Sequence, residues 1–200
     1  MMLWNDLNNY PFLVLVVMAY FLGSIPFSVL VSKLKGIDLR RVGSGNIGAT
    51  NVYRAMGLPW AIVVFILDGA KGWIMTVLAV IICVDPIAHV VVGFMAIIGH
   101  SLSVLVRFKG GKGVATGLGV LMGLNILVFS IVFLIGVSFI LLTRYVAPVS
   151  IFCSVLTPVL LYAVGAPLIY VGVFCIVSVF IVIRHYPNIK RLLRGKEHKI

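Results

Sequence analysis

The sequence predicts an all-α, polytopic membrane protein: seven transmembrane helices with a short fourth helix, the N-terminus outside and the C-terminus cytoplasmic. Three observations lead there. Of the 200 residues 62% are apolar and 10% charged, and the mean hydropathy is +1.21, which leaves too little polar surface for a soluble domain. Outside the polar or Gly-rich segments 1–9, 36–57, 107–113 and 185–200, there is apolar sequence for about seven spans at roughly 20 residues each. The charge is also lopsided, 16 Lys and Arg against 5 Asp and Glu for a formal +11, and it is gathered in four short segments. A basic chain usually suggests nucleic acid. Here bilayer-length apolar runs separate the basic segments, so membrane lipid headgroups or small phosphate-bearing anions are the expected partners, and nucleic acid is not.

The first run, Tyr10–Lys35, has no basic residue before it and no small-residue cleavage site after it, so it reads as an uncleaved first helix. Leu58–Val84 and Ile87–Val106 form a helical hairpin about Asp85-Pro86, and Val146–Val164 and Pro167–Ile183 form another about Gly165-Ala166-Pro167. Between them, the 29 residues Val114–Leu142 would make a helix of about 43 Å, too long for one span and too short for two. Charge decides its course. A single crossing would put Arg144 and the tail's basic residues (Arg184, Lys190, Arg191, Arg194, Lys196, Lys199) opposite the other basic loops, against the positive-inside rule. A short helix Val114–Met122, turning near Gly123 and Asn125 into a full span, places every Lys and Arg except the intramembrane Lys71 on one face. Residues 1–200 then form a single integral membrane domain. Cys83, Cys153 and Cys175 match no metal or redox spacing and read as packing residues.

Three polar clusters converge on the cytoplasmic side. The first is Gly43-Ser44-Gly45-Asn46-Ile47-Gly48-Ala49-Thr50-Asn51, followed by Arg54. Its glycines can turn backbone N–H groups toward an anion, and Ser44 and Thr50 add hydroxyl donors, so it reads as a phosphate cradle; a flexible Gly/Asn turn is the plain alternative. The string satisfies G-x-G-x-x-G, but that dinucleotide fingerprint needs a strand within a βαβ unit, and here both flanks are membrane helices. The second cluster is Arg107-Phe108-Lys109-Gly110-Gly111-Lys112-Gly113. It is no nucleotide P-loop, since Gly113 stands where Ser or Thr must follow the lysine. It still offers N–H donors from Gly110, Gly111 and Gly113 and the Lys112 cation at the N-terminus of the short helix. Arg107 and Lys109 can instead anchor the helix end to headgroups. The third is the tail from Arg184 to His198, where Ile189, Leu192 and Leu193 recur at i, i+3, i+4 behind a basic face, the pattern of an interfacial helix. Within it His185 and Asn188 can both face inward if the last helix continues to Tyr186.

Inside the second helix, Asp68 and Lys71 stand at i, i+3, where each isolated charge would cost about 2.5–3.5 kcal/mol, so they must pair or line a cavity. Ser150, a turn and a half into its helix, can reach a polar pocket or bond back to its own backbone. No His is followed five residues later by Asp, which removes the His-x₄-Asp acyltransferase arrangement. With five scattered acids there is no carboxylate pair for two-metal phosphoryl transfer, so neither metal nor cofactor is expected.

Taken together, Gly43-Ser44-Gly45-Asn46-x-Gly48-Ala49-Thr50-Asn51 with Arg54, then Lys109-Gly110-Gly111-Lys112-Gly113-Val114-Ala115-Thr116, then His185 with Asn188-Ile189 and Gly195-x-Glu197, closely resemble the PlsY family of bacterial acyl-phosphate:glycerol-3-phosphate acyltransferases. Gly23-Ser24-Ile25-Pro26 and Asp68-x-x-Lys71-Gly72 also look like its helical signatures. One departure is Tyr186-Pro187, where related sequences often carry Arg and a polar residue. The resemblance implies a seven-helix enzyme of the bacterial inner membrane, active at its cytoplasmic face, that moves an acyl chain from acyl phosphate to the sn-1 hydroxyl of glycerol 3-phosphate. The products would be lysophosphatidate and phosphate, in the first committed step of phospholipid synthesis. A functional link to the enzyme that makes acyl phosphate follows. Ser44, Arg54 and Lys112 would hold phosphate with Thr50 close by, and His185 and Asn188 would sit at the acceptor.

The residues suit that chemistry. Acyl phosphate carries a good leaving group, so no covalent nucleophile is needed and direct attack is the simpler mechanism. No carboxylate is evident to hold the His185 imidazole in one tautomer, so a substrate phosphate oxygen is the expected base, with His185 and Asn188 orienting the hydroxyl. Two other classes fit parts of the chain. An anion or organophosphate transporter would use the half-helix and Asp68 with Lys71, but the outer side offers no cationic or Gly-rich counterpart. A non-catalytic headgroup-binding protein would leave the two cradles unexplained.

Overall fold

The computed structural model describes residues 10–200, and among these every regular element is helical. The expectation for residues 1–9, an external N-terminus, lies outside the described residues. The helices are α1 (Tyr10–Ser24), α2 (Phe27–Lys33), α3 (Ala49–Met56), α4 (Leu58–Ile82), α5 (Pro86–Ser101), α6 (Val114–Leu124), α7 (Ile126–Thr143), α8 (Val146–Ala163), α9 (Leu168–Arg184) and α10 (Tyr186–Leu193). Five stretches are long and apolar enough to cross a membrane, counting Tyr10–Lys33 as one, and a sixth qualifies if α9 and α10, bent by 56°, are taken together. The short apolar helix α6 is additional to these.

Two compact units divide the described chain, one ending at Leu124 and one spanning Asn125–Ile200. In the first, small residues let helices touch backbone to backbone. A Cβ on Gly23 would overlap the Ala96 carbonyl and one on Gly99 the Tyr20 carbonyl, so α1 and α5 are in direct contact. Gly72 against the Thr116 carbonyl and Gly119 against the Gly69 carbonyl do the same for α4 and α6. Phe12, Leu15, Ala19, Met75, Ala79, Ala88, Val92 and Ala96 form the core shared by α1, α4 and α5.

Three element ends differ from the sequence reading, each for a backbone reason. The first run is broken at Ile25-Pro26, because proline lacks the N–H and crowds the carbonyl four residues back. The carbonyls exposed there are taken by side chains: Ser103 Oγ donates to the Ser24 oxygen (2.6 Å) and Lys71 Nζ to the Ile25 oxygen (3.1 Å). The span read as Ile87–Val106 is found as Pro86–Val106, but its α-helix α5 ends at Ser101 and a 3-10 turn, Val104–Val106, completes it; the N–H groups of Gly110 and Gly111 turn back onto the carbonyls of Ser101 (3.1 Å) and His100 (3.2 Å). At the far end, α9 does not run on to Tyr186. It ends at Arg184, and Pro187 opens the first turn of α10 instead.

Within the second unit, Asn125 caps α7 through its side-chain oxygen, which accepts from Val128 N at 2.9 Å. The Ser178 hydroxyl binds the Ser154 carbonyl and ties α9 to α8. Beyond α10 the chain folds back: Glu197 accepts from Asn188 Nδ2 (2.6 Å) and Arg191 Nε (2.9 Å), and Ile200 N donates to the Arg144 carbonyl (2.9 Å).

Candidate active site

The first loop is a knot tied by one side chain. Gly43 and Gly45 have φ of +55° and +71°, which lets the chain reverse between α2 and α3. Asn51, buried on α3, fills the turn. Its Oδ1 accepts from Ser44 N (2.9 Å) and Ser44 Oγ (3.3 Å), while its Nδ2 donates to the Leu39 (2.9 Å) and Val42 (3.0 Å) carbonyls. A Cβ at Gly43 would overlap that Oδ1 and lie 3.6 Å from Arg54 Cδ, so the Arg54 stem runs beside the same glycine. Ser44, Asn51 and Arg54 are thus brought together, Thr50 occupies the first turn of α3, and the Asn46 amide lies against Gly48. The Ile47 carbonyl accepts from Ser28 Oγ (2.8 Å), fastening the knot to α2.

The second loop is clamped from beneath. Gly110, Gly111 and Gly113 are buried and Lys112 is half-buried. The chain enters through Arg107 and Phe108, both left-handed at φ of +55° and +61°, a conformation costing roughly 1–2 kcal/mol for a residue with a Cβ. It is held there by Phe108 N donating to the Ser103 carbonyl (2.8 Å). Because the Gly110 and Gly111 N–H groups face the end of α5, their part in the loop is to seat it. The first-turn N–H groups of α6 have no intrahelical acceptor, the ladder beginning with Gly117 N donating to the Gly113 carbonyl (2.7 Å), so they are the donors this loop could offer an anion.

Asp68 and Lys71 are each 2% exposed and pair at 2.8 Å, as their i, i+3 placement requires. His100 Nδ1 lies 3.5 Å from the same Asp68 oxygen, and Thr116 Oγ1 donates to the Asp68 carbonyl at 2.9 Å.

In the second unit, His185 and Asn188 are both buried despite the break between α9 and α10. His185 Nδ1 is 2.8 Å from the Ile181 carbonyl. A carbonyl only accepts, so Nδ1 carries a proton, and in the neutral ring Nε2 carries the lone pair. The sequence offered no evident carboxylate to hold this imidazole, and it is a backbone carbonyl that stands at Nδ1. Glu197 instead holds Asn188 and Arg191. Ser150 is buried on α8. Sequence reasoning left Asn51 as one letter of a motif and His100 without a role. The signal available for His100 was an imidazole in an apolar run at the mouth of a Gly-Lys loop.

Bilayer-length helices carrying their glycines, hydroxyls and cations in short segments at helix ends define a polytopic membrane protein with polar chemistry at its helix termini. The family model described as glycerol-3-phosphate acyltransferase matches residues 13–195. A glycerol-3-phosphate acyltransferase of Aquifex aeolicus is 42% identical over 94% of this chain and 98% of its own, and one of Thermus thermophilus is 44% identical over 92% and 93%. Crystal structures of PlsY, an integral membrane glycerol 3-phosphate acyltransferase, superpose with TM-scores of 0.91 for the glycerol 3-phosphate form and 0.88 for the lysophosphatidic acid form. Those chains are 42% and 40% identical to this one, and each match covers 94% of this chain and 95% of the other. The chain belongs to the glycerol-3-phosphate acyltransferase family, whose members are membrane acyltransferases of phospholipid synthesis.

Proposed function

We propose that this enzyme transfers the acyl chain of acyl phosphate to the sn-1 hydroxyl of glycerol 3-phosphate, releasing lysophosphatidate and inorganic phosphate, without acyl-CoA, acyl carrier protein, metal or cofactor. The observation that carries the reading is the Asn51-tied knot, which presents the Ser44 hydroxyl and the Arg54 stem around one left-handed glycine. Arg54 supplies a bidentate guanidinium for a phosphate, with Asn46 and Thr50 as neutral donors, joined by Ser44 once its hydroxyl turns from Asn51 to the phosphate. Lys112 and the first turn of α6 supply a second cationic position, framed by Gly110, Gly111 and Gly113.

At the acceptor, His185 Nε2 receives the hydroxyl hydrogen bond and Asn188, held by Glu197, fixes its direction. The oxygen attacks the acyl carbonyl carbon, the C–O bond to phosphate breaks, and phosphate leaves with its electron pair. The hydroxyl proton ends on a substrate phosphate oxygen. His185 has a neutral carbonyl behind Nδ1 rather than a carboxylate, which stabilises an imidazolium less than a carboxylate would.

The seven-helix topology, N-terminus outside and C-terminus inside, in the bacterial inner membrane, is part of this reading. It is supported by the clustering of the loop Lys and Arg and by the shortness of α6. A cysteine placed in 107–113 or 188–196 is then labelled from the cytoplasmic side only. The decisive experiment is incubation of purified protein with acyl phosphate and labelled glycerol 3-phosphate, with acyl-CoA as the comparison donor. Labelled lysophosphatidate from acyl phosphate alone supports the proposal, and equal use of acyl-CoA sinks it.

A further inference from the structure

Asp68 sits in the middle of a membrane-length helix, yet it joins both flanks of the second loop. On the entering side, His100 near the end of α5 places Nδ1 3.5 Å from Asp68 Oδ1. On the leaving side, Thr116 in the first turn of α6 donates its hydroxyl to the Asp68 carbonyl at 2.9 Å. The imidazole bridges the remaining distance to the loop. A Cβ on Gly111 would overlap His100 Nε2, and the His100 carbonyl accepts the Gly111 N–H at 3.2 Å, so ring and backbone of one residue both bear on one glycine. Lys71 neutralises the carboxylate at 2.8 Å and continues to the Ile25 carbonyl at the break between α1 and α2. His100 and Asp68 are buried, at 8% and 2% exposure, so neither is arranged to meet solvent.

An ion pair needed only to make α4 tolerable in the membrane would be complete with Lys71. The added imidazole, with Nδ1 toward the carboxylate and Nε2 against Gly111, has no such purpose. We propose that Asp68 and His100 are positioning residues for the acyl transfer: the carboxylate orients the imidazole, and the imidazole sets the height and direction of Gly111 and so the placement of Lys112 and the α6 N-terminus on the phosphate. The inference rests on the reading of that loop as a phosphate site. It assigns to the buried polar cluster of α4 and α5 control over substrate binding, and so makes His100 a determinant of how tightly phosphate is gripped.

The test uses the purified full-length enzyme and pairs a steric lesion with its relief. Gly111→Ala alone is expected to lose about 10²-fold in kcat/KM, the order expected of a displacement near 1 Å. Adding His100→Asn, which keeps a donor toward Asp68 but withdraws the Nε2 edge, is expected to restore about tenfold of that loss while leaving thermal unfolding unchanged. Single His100→Leu is expected to raise the inhibition constant of inorganic phosphate and the substrate KM about tenfold, with a smaller change in kcat. Asp68→Asn should follow it in direction, and the Gly111 pair leaves the Asp68–Lys71 ion pair intact should that variant fold poorly. Thr76→Val, a buried hydroxyl elsewhere on α4, is the control expected to match the parent. The proposal is overturned if Gly111→Ala keeps the parent kcat/KM, if His100→Asn adds a further independent loss to it, or if His100→Leu lowers kcat at constant KM and constant phosphate inhibition. Parent-like activity in Lys112→Ala would instead overturn the loop's role in phosphate binding, a separate result from any of these.

Discussion

Gly43–Gly48 is organised by Asn51, seven residues past Ser44, whereas Gly110–Gly113 is held through Asp68, which reaches Thr116 across 48 positions. The first loop is partly exposed and its hydrogen bonds lie within its own short segment, fastened to α2 through Ser28. The second is mostly buried and rests on carbonyls and a ring supplied by other helices. A locally tied loop can be rebuilt or lost without disturbing the bundle, while a clamped loop transmits every change in helix packing to the substrate. If both loops hold phosphate as proposed, the first would give adaptable recognition and the second a fixed anion position.

The largest expected effect lies in the clamped loop. Lys112→Ala should reduce turnover by about 10² or more, because a preorganised cation facing developing charge in a dry site is among the strongest contributions to catalysis. Circular dichroism and thermal unfolding should be unchanged, since Lys112 is half-buried and outside the helical core. Full activity would remove the second loop from the phosphate site and end the comparison.

That asymmetry also explains what the sequence could tell. The helices were legible because apolar length and positive charge are summed over many residues, and the first loop because its partners are near in sequence. Asn51 was in plain view within the motif, although its fourfold role needs the turn geometry. The His100 contact was not legible, since it depends on the end of α5 lying beside Asp68 of α4 while the loop between α5 and α6 folds back onto that end. The break at Pro26 was readable in principle, as a proline within a run too apolar to announce it. The carbonyl behind His185 is a consequence of the bend there, which no spacing rule placed.

The knot should respond differently. Asn51→Leu leaves the Ser44 N–H and the Leu39 and Val42 carbonyls without their partner, at about 1–3 kcal/mol for each group that stays buried. Exposed positions along the loop let water replace part of this. We therefore expect kcat/KM to fall about tenfold to a hundredfold, with an unfolding temperature close to the parent's. A large loss of thermal stability would show that the knot supports the bundle and that the contrast between the loops is false.

Arg54→Lys keeps the charge and removes the fork. A loss of about tenfold is expected, appearing mainly as a raised substrate requirement, because a point charge replaces a two-point contact. Arg107→Ala should be milder still, within about threefold, since Arg107 is exposed and its backbone rather than its head group serves the loop. Equal losses in the two would mean that net positive charge, not geometry, holds the phosphate.

The effect expected at His185 is of the same order as that of Arg54→Lys, and it separates two mechanisms. A general base there would make His185→Asn lose about 10² to 10⁴ in rate and would remove the ionisation near the imidazole range from the pH profile. Nδ1 donates to the Ile181 carbonyl, so when the ring is neutral Nε2 is the acceptor, the state in which it can direct a hydroxyl. What a base also needs is a partner for the positive charge it acquires. The one carboxylate near this turn, Glu197, is engaged by Asn188 and Arg191, and Arg184 adjoins the ring in sequence. Protonating His185 would therefore place a cation beside others, whereas a substrate phosphate dianion can accept the proton while keeping a negative charge. His185→Asn should accordingly lose only about tenfold, mostly as a raised glycerol 3-phosphate requirement, because an amide can still take part in orienting the hydroxyl. Its rate should continue to rise through the second ionisation of the substrate phosphate with the parent's profile. If the variant's rate becomes flat across that range, the imidazole is the base and the proton does not go to phosphate.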